Sequence, residues 1–252
     1  HATVINHINN SKGYVVSIDI PSGLPADLIS TPSVLPAVIV RANTTLTFQI
    51  PKQFFLLADA FPYTGNFEVL DIGLLHDFQD EEPCDVHYIT PENTLKRIKK
   101  RHKFSNKGTY GHLLLIAGSY GKMGAASLSA KACLRSGCGL VSTHIPACGY
   151  EMMQTAFPEA MCSIDKNEKH LTVFPSDEKY NAIAIGPGIG THLSTIKALE
   201  VFLKKYKQPI VADADALNIL SANKNLQTQI PINSILTPHI GEFKRLAGEW
   251  KT

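Results

Sequence analysis

Apolar residues fall along this chain in short runs, each closed by glycine, proline, aspartate or histidine. Residues 112–117 (HLLLIA) are apolar on both faces, as a parallel strand covered by helices on two sides must be. Gly118, Gly121 and Gly124 follow, and residues 122–137 then read as a helix with Ala126, Ala130, Cys133 and Leu134 on one face and Gly137 as its stop. Residues 139–145 predict the next strand, 150–157 a short helix and 181–185 a buried strand that breaks into Gly186-Pro187-Gly188-Ile189-Gly190. Over 192–206 the spacing predicts an amphipathic helix with Leu193, Ile196, Leu199 and Leu203 turned to the core, and Lys204, Lys205 and Lys207 near its C-terminal dipole. Residues 209–212 lead into Asp213-Ala214-Asp215, and 235–237 into Pro238-His239 before a last helix. Strand and helix in alternation predict an α/β fold, a doubly wound and mostly parallel sheet.

Upstream the rhythm is looser. Residues 14–20 (YVVSIDI) predict a strand running into Pro21-Ser22-Gly23, residues 38–50 alternate weakly up to Pro51-Lys52, and 67–74 (FEVLDIGL) supply another strand. Between 91 and 107 the composition turns basic, with Lys96, Arg97, Lys99, Lys100, Arg101 and Lys103. Without interleaved aromatics that run reads as a solvated inter-domain linker with a short helix rather than a nucleic-acid patch. The organisation predicted is residues 1–90, a linker over 91–106, and a second domain over 107–252.

Composition narrows the class. With 252 residues, 44% hydrophobic and 18% charged, the chain buries a sizeable core, and its net charge of +2 is too mild to imply a nucleic-acid or membrane partner. No apolar run reaches the length of a membrane span. The five cysteines, Cys84, Cys133, Cys138, Cys148 and Cys162, form no C-x-x-C pair, which suits thiols in a reducing compartment, the cytoplasm. The chain begins at His1 rather than Met, so a preceding segment is expected.

The candidate chemistry sits at strand ends. Parallel strands end on one edge, so the turns at 118–124, 186–190, 213–215 and 237–242 are expected to line one crevice. Glycine there lets a phosphate or a flat ring approach the backbone at the start of a helix. A tight strand-to-helix turn is the plainer reading, because G-x-x-G-x-x-G matches neither the dinucleotide fingerprint nor the phosphate loop. Asp213 or Asp215 suits a hydroxyl or a hydrated cation, and His239 an oxyanion or hydroxyl; equally, Asp215 suits a helix cap and Glu242 the support of a first turn. Asp19, at the end of its strand, is either a ligand contact or a turn-capping carboxylate.

KGTYGHLLLIAGSYGKMGAA, AIGPGIG, VADADALNIL and LTPHIGEFKRL together resemble the dehydratase domain of the bifunctional NAD(P)H-hydrate repair enzymes, a ribokinase-like fold. VVSIDIPSGLPAD, TLTFQIPK and FEVLDIGL resemble the C-terminal part of the Rossmann-like epimerase domain fused in front of it, so the resemblance covers nearly the whole chain. It implies that Asp19 contacts the hydrated cofactor and Ser22 a potassium ion. In the second domain Ala126, Gly188 and His239 fall in the segments that line the hydrate site, and Lys107, Gly121, Gly124, Gly190, Asp213, Asp215 and Glu242 become substrate or nucleotide contacts. The implied chemistry is phosphorylation of the hydrate hydroxyl by ADP or ATP with Mg2+, then loss of phosphate as the ring double bond returns; the bacterial wording of KGTYGH and GSYGKMGAA favours ADP. The implied partner is a small dinucleotide, and the parent a homo-oligomer. The resemblance also places the epimerase base before His1 and the catalytic aspartate after Thr252, so no catalytic base is expected in these residues, and the fragment alone is expected to be nearly inactive. A kinase of sugars or hydroxymethylpyrimidines and a non-catalytic dinucleotide-binding module are the rival expectations.

Overall fold

The structure, a computed structural model, describes residues 1–27, 38–74, 86–98, 100–176 and 179–248. Cys84 and Lys99 lie outside the described residues. The chain divides into two compact units, His1–Ile98 and Lys99–Lys251. No described helix is long and apolar enough to cross a membrane.

The first unit opens on helix α1 (Ala2–Asn9) and builds a parallel sheet in the order β1-β2-β3 from β1 (Val16–Ile18), β2 (Thr44–Phe48) and β3 (Asn66–Leu70). Thr44 stands opposite Val16 on one side and Asn66 on the other. β1 and β2 stop short of the ends of their apolar runs, because Asp19 and Gln49 leave extended geometry at φ 62° and 60°. Leu24, Ile39, Phe54, Phe55 and Ala60 form the core, with the Phe67 ring centroid 5.6 Å from that of Phe55. A short turn of helix, α2 (Phe61–Thr64), leads into β3; α3 (Pro91–Arg97) is fixed by a reciprocal cap between Thr90 and Asn93.

In the second unit six parallel strands take the order β6-β5-β4-β7-β8-β9: β4 (His112–Ile116), β5 (Leu140–Ile145), β6 (Met161–Ile164), β7 (Ala182–Ile185), β8 (Val211–Ala212) and β9 (Ile235–Leu236). The order is that of a doubly wound sheet, as expected. Successive β4 side chains point to opposite faces, and both faces are covered. Leu114 and Ile116 join Ile183, Ile185, Leu199, Phe202 and Leu217 in one core; Leu115 and Ala117 join Ala126, Ala130, Ile145 and Met153 in the other.

The helices that follow the strands are α4 (Met123–Arg135), α5 (Tyr150–Ala156), α6 (Leu193–Lys205), α7 (Asp215–Ala222), α8 (Lys224–Gln227) and α9 (Ile240–Ala247). Alanine-rich α4 carries little side-chain entropy cost, and its fully buried Ala126 and Ala130 let it lie close to the sheet. It ends as its glycine requires: at φ 106° the Gly137 N–H donates to Leu134 O at 3.1 Å, and the Cys138 N–H to Cys133 O at 3.2 Å.

Two expectations need correction. Leu193 does not face the core but is 73% exposed. It is the first residue of α6, one position past the His192 cap, and the buried face is set instead by Thr195, Ala198, Leu199, Phe202 and Leu203. Strand β6 was not anticipated: its edge position leaves Met161 and Ile164 exposed, so MCSI carries no buried-strand pattern.

Candidate active site at the switch point of the six-stranded sheet

Strand order reverses direction between β4 and β7, and in an open parallel sheet a ligand crevice lies at that point, beyond the carboxyl ends of the strands. The turns after these two strands lock together through the backbone. Gly118 N–H donates to Pro187 O at 2.8 Å, and Ser119 Oγ to Gly188 O at 2.7 Å. The approach is close enough that a Cβ on Gly188, at φ 70°, would stand 2.8 Å from Lys122 O. Gly121 takes the left-handed conformation expected of it, at φ 80°, with no heavy atom near its hypothetical Cβ. Gly124 does not: it is helical, the second residue of α4, and its use is the open space beside it rather than a special φ.

The next strand adds two carboxylates. After β8 the chain passes through Ala214 at φ 48°, a strained conformation for alanine costing about 1–3 kcal/mol, roughly what one fully buried Leu contributes. Buried Ala216, Leu217, Ile219 and Leu220 just beyond hold it there. The turn aims Asp213 and Asp215 apart: Asp213 Oδ1 accepts from Thr237 Oγ1 at 2.8 Å, while Asp215 Oδ2 accepts from Gly190 N–H at 2.9 Å and from Lys122 Nζ at 3.1 Å. Asn218 Nδ2 donates to the other oxygen of Asp215 at 3.3 Å. Burial acts to raise the Asp215 pKa, but these donors outweigh it and hold the carboxyl below its ordinary value. One carboxylate thus ties together the turns after β4, β7 and β8.

His239 caps α9. Its Nδ1 accepts from Gly241 N–H at 3.0 Å and Glu242 N–H at 3.4 Å, and Glu242 Oε2 returns the bond by accepting from His239 N–H at 3.0 Å. An accepting Nδ1 leaves the ring proton on Nε2, 3.5 Å from Glu242 Oε1, as the donor available to a ligand. His239→Ala should therefore cost about 1 kcal/mol of stability through the lost cap. His239→Asn, which keeps a capping side chain, should recover most of it; equal melting temperatures for wild type and His239→Ala would show that the cap carries no weight.

A further arm escaped sequence reasoning. The buried carboxylate of Asp165, just past β6, accepts from Asn167 N–H, Thr172 N–H, Thr172 Oγ1 and Val173 N–H at 2.9, 2.6, 2.7 and 2.9 Å. The segment so folded holds the glycine turn, since Tyr120 N–H donates to Lys169 O at 2.8 Å, and its His170 ring stacks on His192 at 3.8 Å. His144 with Ser163 and Asp165 has the look of a catalytic triad. However, Val173 O at 2.8 Å takes the Nε2 proton, Ser163 Oγ lies 3.0 Å from Nδ1, and burial lowers the imidazole pKa, so the ring is a neutral strut. An aspartate at a strand end followed two residues later by asparagine was the signal available.

Residues 113–252 match the family model described as NAD(P)H-hydrate dehydratase, more than half of the chain. The chain belongs to this family. Residues 1–54 match a second model, described as YjeF-related protein N-terminus. Among curated relatives, the bifunctional NAD(P)H-hydrate repair enzyme of Moorella thermoacetica is 31% identical over 98% of the chain and 47% of its own length; that of Escherichia coli is 33% identical over 97% and 45%. The chain thus spans about half the length of the curated relatives it matches. A solved ADP/ATP-dependent NAD(P)H-hydrate dehydratase from Bacillus subtilis, co-crystallised with ATP and Mg2+, is 30% identical with a TM-score of 0.51, covering 66% of this chain and 57% of that one. A ribokinase-like superfamily protein from Enterococcus faecalis is 26% identical with a TM-score of 0.51, covering 59% and 52%.

In this NAD(P)H-hydrate dehydratase family member the structure brings Gly121, Gly124, Gly188, Gly190, Asp213, Asp215, His239 and Glu242 to one edge of the sheet. Ala126 lies just beneath, its methyl fully buried and 3.3 Å from where a Cβ on Gly118 would stand, so it shapes the floor rather than the opening. Lys107 is elsewhere. It precedes β4, and a strand of five residues separates its two ends by about 16 Å, so Lys107 belongs to the opposite edge. There its carbonyl abuts Gly139, where a Cβ would meet it. In the first unit Asp19 ends β1 as expected. Its Oδ1 accepts from Lys52 Nζ at 2.9 Å, Phe48 N–H at 3.1 Å and Thr47 Oγ1 at 3.3 Å. Burial acts to raise the Asp19 pKa, and these bonds outweigh it and lower it. Ser22 is exposed in the turn that follows.

Proposed function

We propose that the protein carrying this chain repairs hydrated nicotinamide cofactors. Its dehydratase part, which we place over residues 107–252, removes water from the S epimer of NADH or NADPH hydrate at the expense of ADP. Its first part, which we place over residues 1–90, is the end of an epimerase domain that interconverts the R and S hydrates, the basic stretch 91–106 joining the two. The observation that carries the reading is the sheet edge at the switch point, where two interlocked glycine turns and two carboxylates meet, in a chain that belongs to the dehydratase family.

The chemistry asks little of the fold beyond positioning and charge. The hydrate hydroxyl is a poor leaving group; transfer of a phosphoryl group to it from ADP gives a phosphate ester and AMP, with release of the hydroxyl proton, and loss of that phosphate together with a proton from the adjacent ring carbon restores the ring double bond. Gly121, Gly124 and Gly190 leave space beside the backbone for a flat ring and phosphates to come close, while Gly188 lets its turn pack against Lys122. The His239 Nε2–H is placed to donate to a substrate oxygen. Asp213, whose carboxylate accepts from Thr237 Oγ1 at 2.8 Å, is the residue that would hold a hydrated Mg2+, and the ion would supply neutralisation of phosphoryl charge. In the first part Asp19 would meet the hydrate and the exposed Ser22 hydroxyl would supply one oxygen to K+. The same reading makes the protein a cytoplasmic homo-oligomer.

The test is to mix hydrated NADH with the full-length protein and ADP or ATP, following the return of the reduced nicotinamide absorption band. Recovery with ADP is expected. A lasting phosphorylated product with no recovered band would replace the reading by a small-molecule kinase.

A further inference from the structure

The Lys122 ammonium stands at the crevice, and the fold does not depend on it. The interlock of the two glycine turns runs through Gly118 N–H to Pro187 O and Ser119 Oγ to Gly188 O, two bonds in which the Lys122 side chain takes no part. Asp215 keeps the Gly190 N–H and Asn218 Nδ2 when Lys122 is taken away, and Arg245 Nη2 holds Asn218 in turn at 2.9 Å. The Lys122 side chain is 54% exposed against 16% for Asp215, and an ion pair so open to water contributes about 0–1 kcal/mol. The pair is therefore cheap to separate, and its carboxylate stays in place when it does. The crevice edge otherwise carries Asp213 and Glu242, which repel an anion; His239 caps a helix, and the Lys169 ammonium lies over the Tyr120 ring at 5.5 Å.

We propose that Lys122 is a phosphate-binding residue parked on Asp215: when a nucleotide enters the crevice, the ammonium leaves Asp215 for a phosphate oxygen, and Asp215, held by Gly190 and Asn218, is the positioning residue that keeps it poised. The ligand chemistry is a diphosphate, carried either by the dinucleotide hydrate or by ADP. This rests on the function proposed above and adds to it a residue that the motif reading passed over.

The experiment compares wild type, Lys122→Met and Lys122→Arg in the full-length protein, with KM and kcat measured separately for hydrated NADH and for ADP at low and high salt. Lys122→Met should raise one KM about tenfold at low salt, with kcat within about twofold and the salt dependence of that KM lost; Lys122→Arg should stay within about threefold of wild type. The KM that moves names the source of the phosphate. Unchanged values of both KM, or a fall in kcat alone, overturn the proposal. Calorimetric binding of ADP and of NAD+ to wild type and Lys122→Met reads it independently of turnover. Tenfold tighter binding of either by wild type sustains the role of Lys122 even if no hydrate is converted, and equal binding of both overturns it. Absence of turnover in wild type counts against the repair function alone.

Discussion

Gly186→Ala should unfold the second unit locally at the switch point, and the turnover proposed for the full-length protein should be lost with it. At φ 134° an alanine is already strained, and its Cβ would stand 1.8 Å from Asp213 O, 2.8 Å from the Asp213 carbonyl carbon and 3.0 Å from Ala216 Cβ. Two of those atoms are backbone, so no rotamer change relieves the clash. The strands would have to part instead, breaking Gly186 N–H to Ile116 O at 3.1 Å and Asp213 N–H to Ile185 O at 3.0 Å. Strain, clash and two lost bonds sum to more than about 4 kcal/mol. Gly121→Ala is the control: it has the same backbone handicap at φ 80° but open space, and should cost about 1 kcal/mol. Urea unfolding of both variants tests the contrast; a Gly186→Ala midpoint close to that of Gly121→Ala would mean that the β7 and β8 turns are not in contact.

Asp165→Ala should cost about 3–5 kcal/mol, because three backbone N–H groups and one hydroxyl lose a buried anionic acceptor together. The segment that holds Tyr120 against the glycine turn is released with it, so hydrogen exchange at Tyr120 should rise along with the fall in melting temperature. Acid makes the same point. Burial acts to raise the Asp165 pKa, but the donors outweigh it and lower it in the folded state. The stability it contributes is therefore full above the unfolded carboxylate value of about 4 and drains away as pH falls through the lower folded value. Asp165→Asn should lack that drain. His144 acts at higher pH: burial lowers its folded pKa, so its contribution is complete above the unfolded imidazole value of about 6.5 and is lost as pH falls toward the folded one. A wild-type melting temperature that stays flat from pH 7 to pH 3 would contradict both assignments.

What the amino-acid order discloses here is what single residues impose on their own neighbourhood. Doubly apolar HLLLI, the glycine stop at Gly137 and the turn residues after each strand act locally, and with them came the strand order's consequence, a shared edge for the four turns. Leu193 was misjudged because a first-turn residue has no helix before it to set its face, so spacing alone cannot place it. Strand β6 and helix α1 were missed for a common reason: both lie where little is buried, Ile5 alone in α1, and a pattern of burial cannot announce an element that buries so little. The Asp165 arm was legible in principle, since its partners Asn167, Thr172 and Val173 lie within eight residues. The Lys122–Asp215 pair was not: only the folded sheet brings these side chains near, across 93 positions of sequence, and no local periodicity encodes such a meeting.

Strand β4 pairs with β5 on one side and β7 on the other, and these partners leave the ribosome at different times. β5 follows at once, but the first residue of β7 is 66 positions beyond the last of β4, from Ile116 to Ala182. At roughly 5–20 residues per second of synthesis that interval lasts about 3–13 s, during which one edge of the most apolar strand stays open. The crevice has only one wall until then. A nascent chain stalled before residue 182 should bind a chaperone through β4, and the same chain extended past residue 190 should let it go.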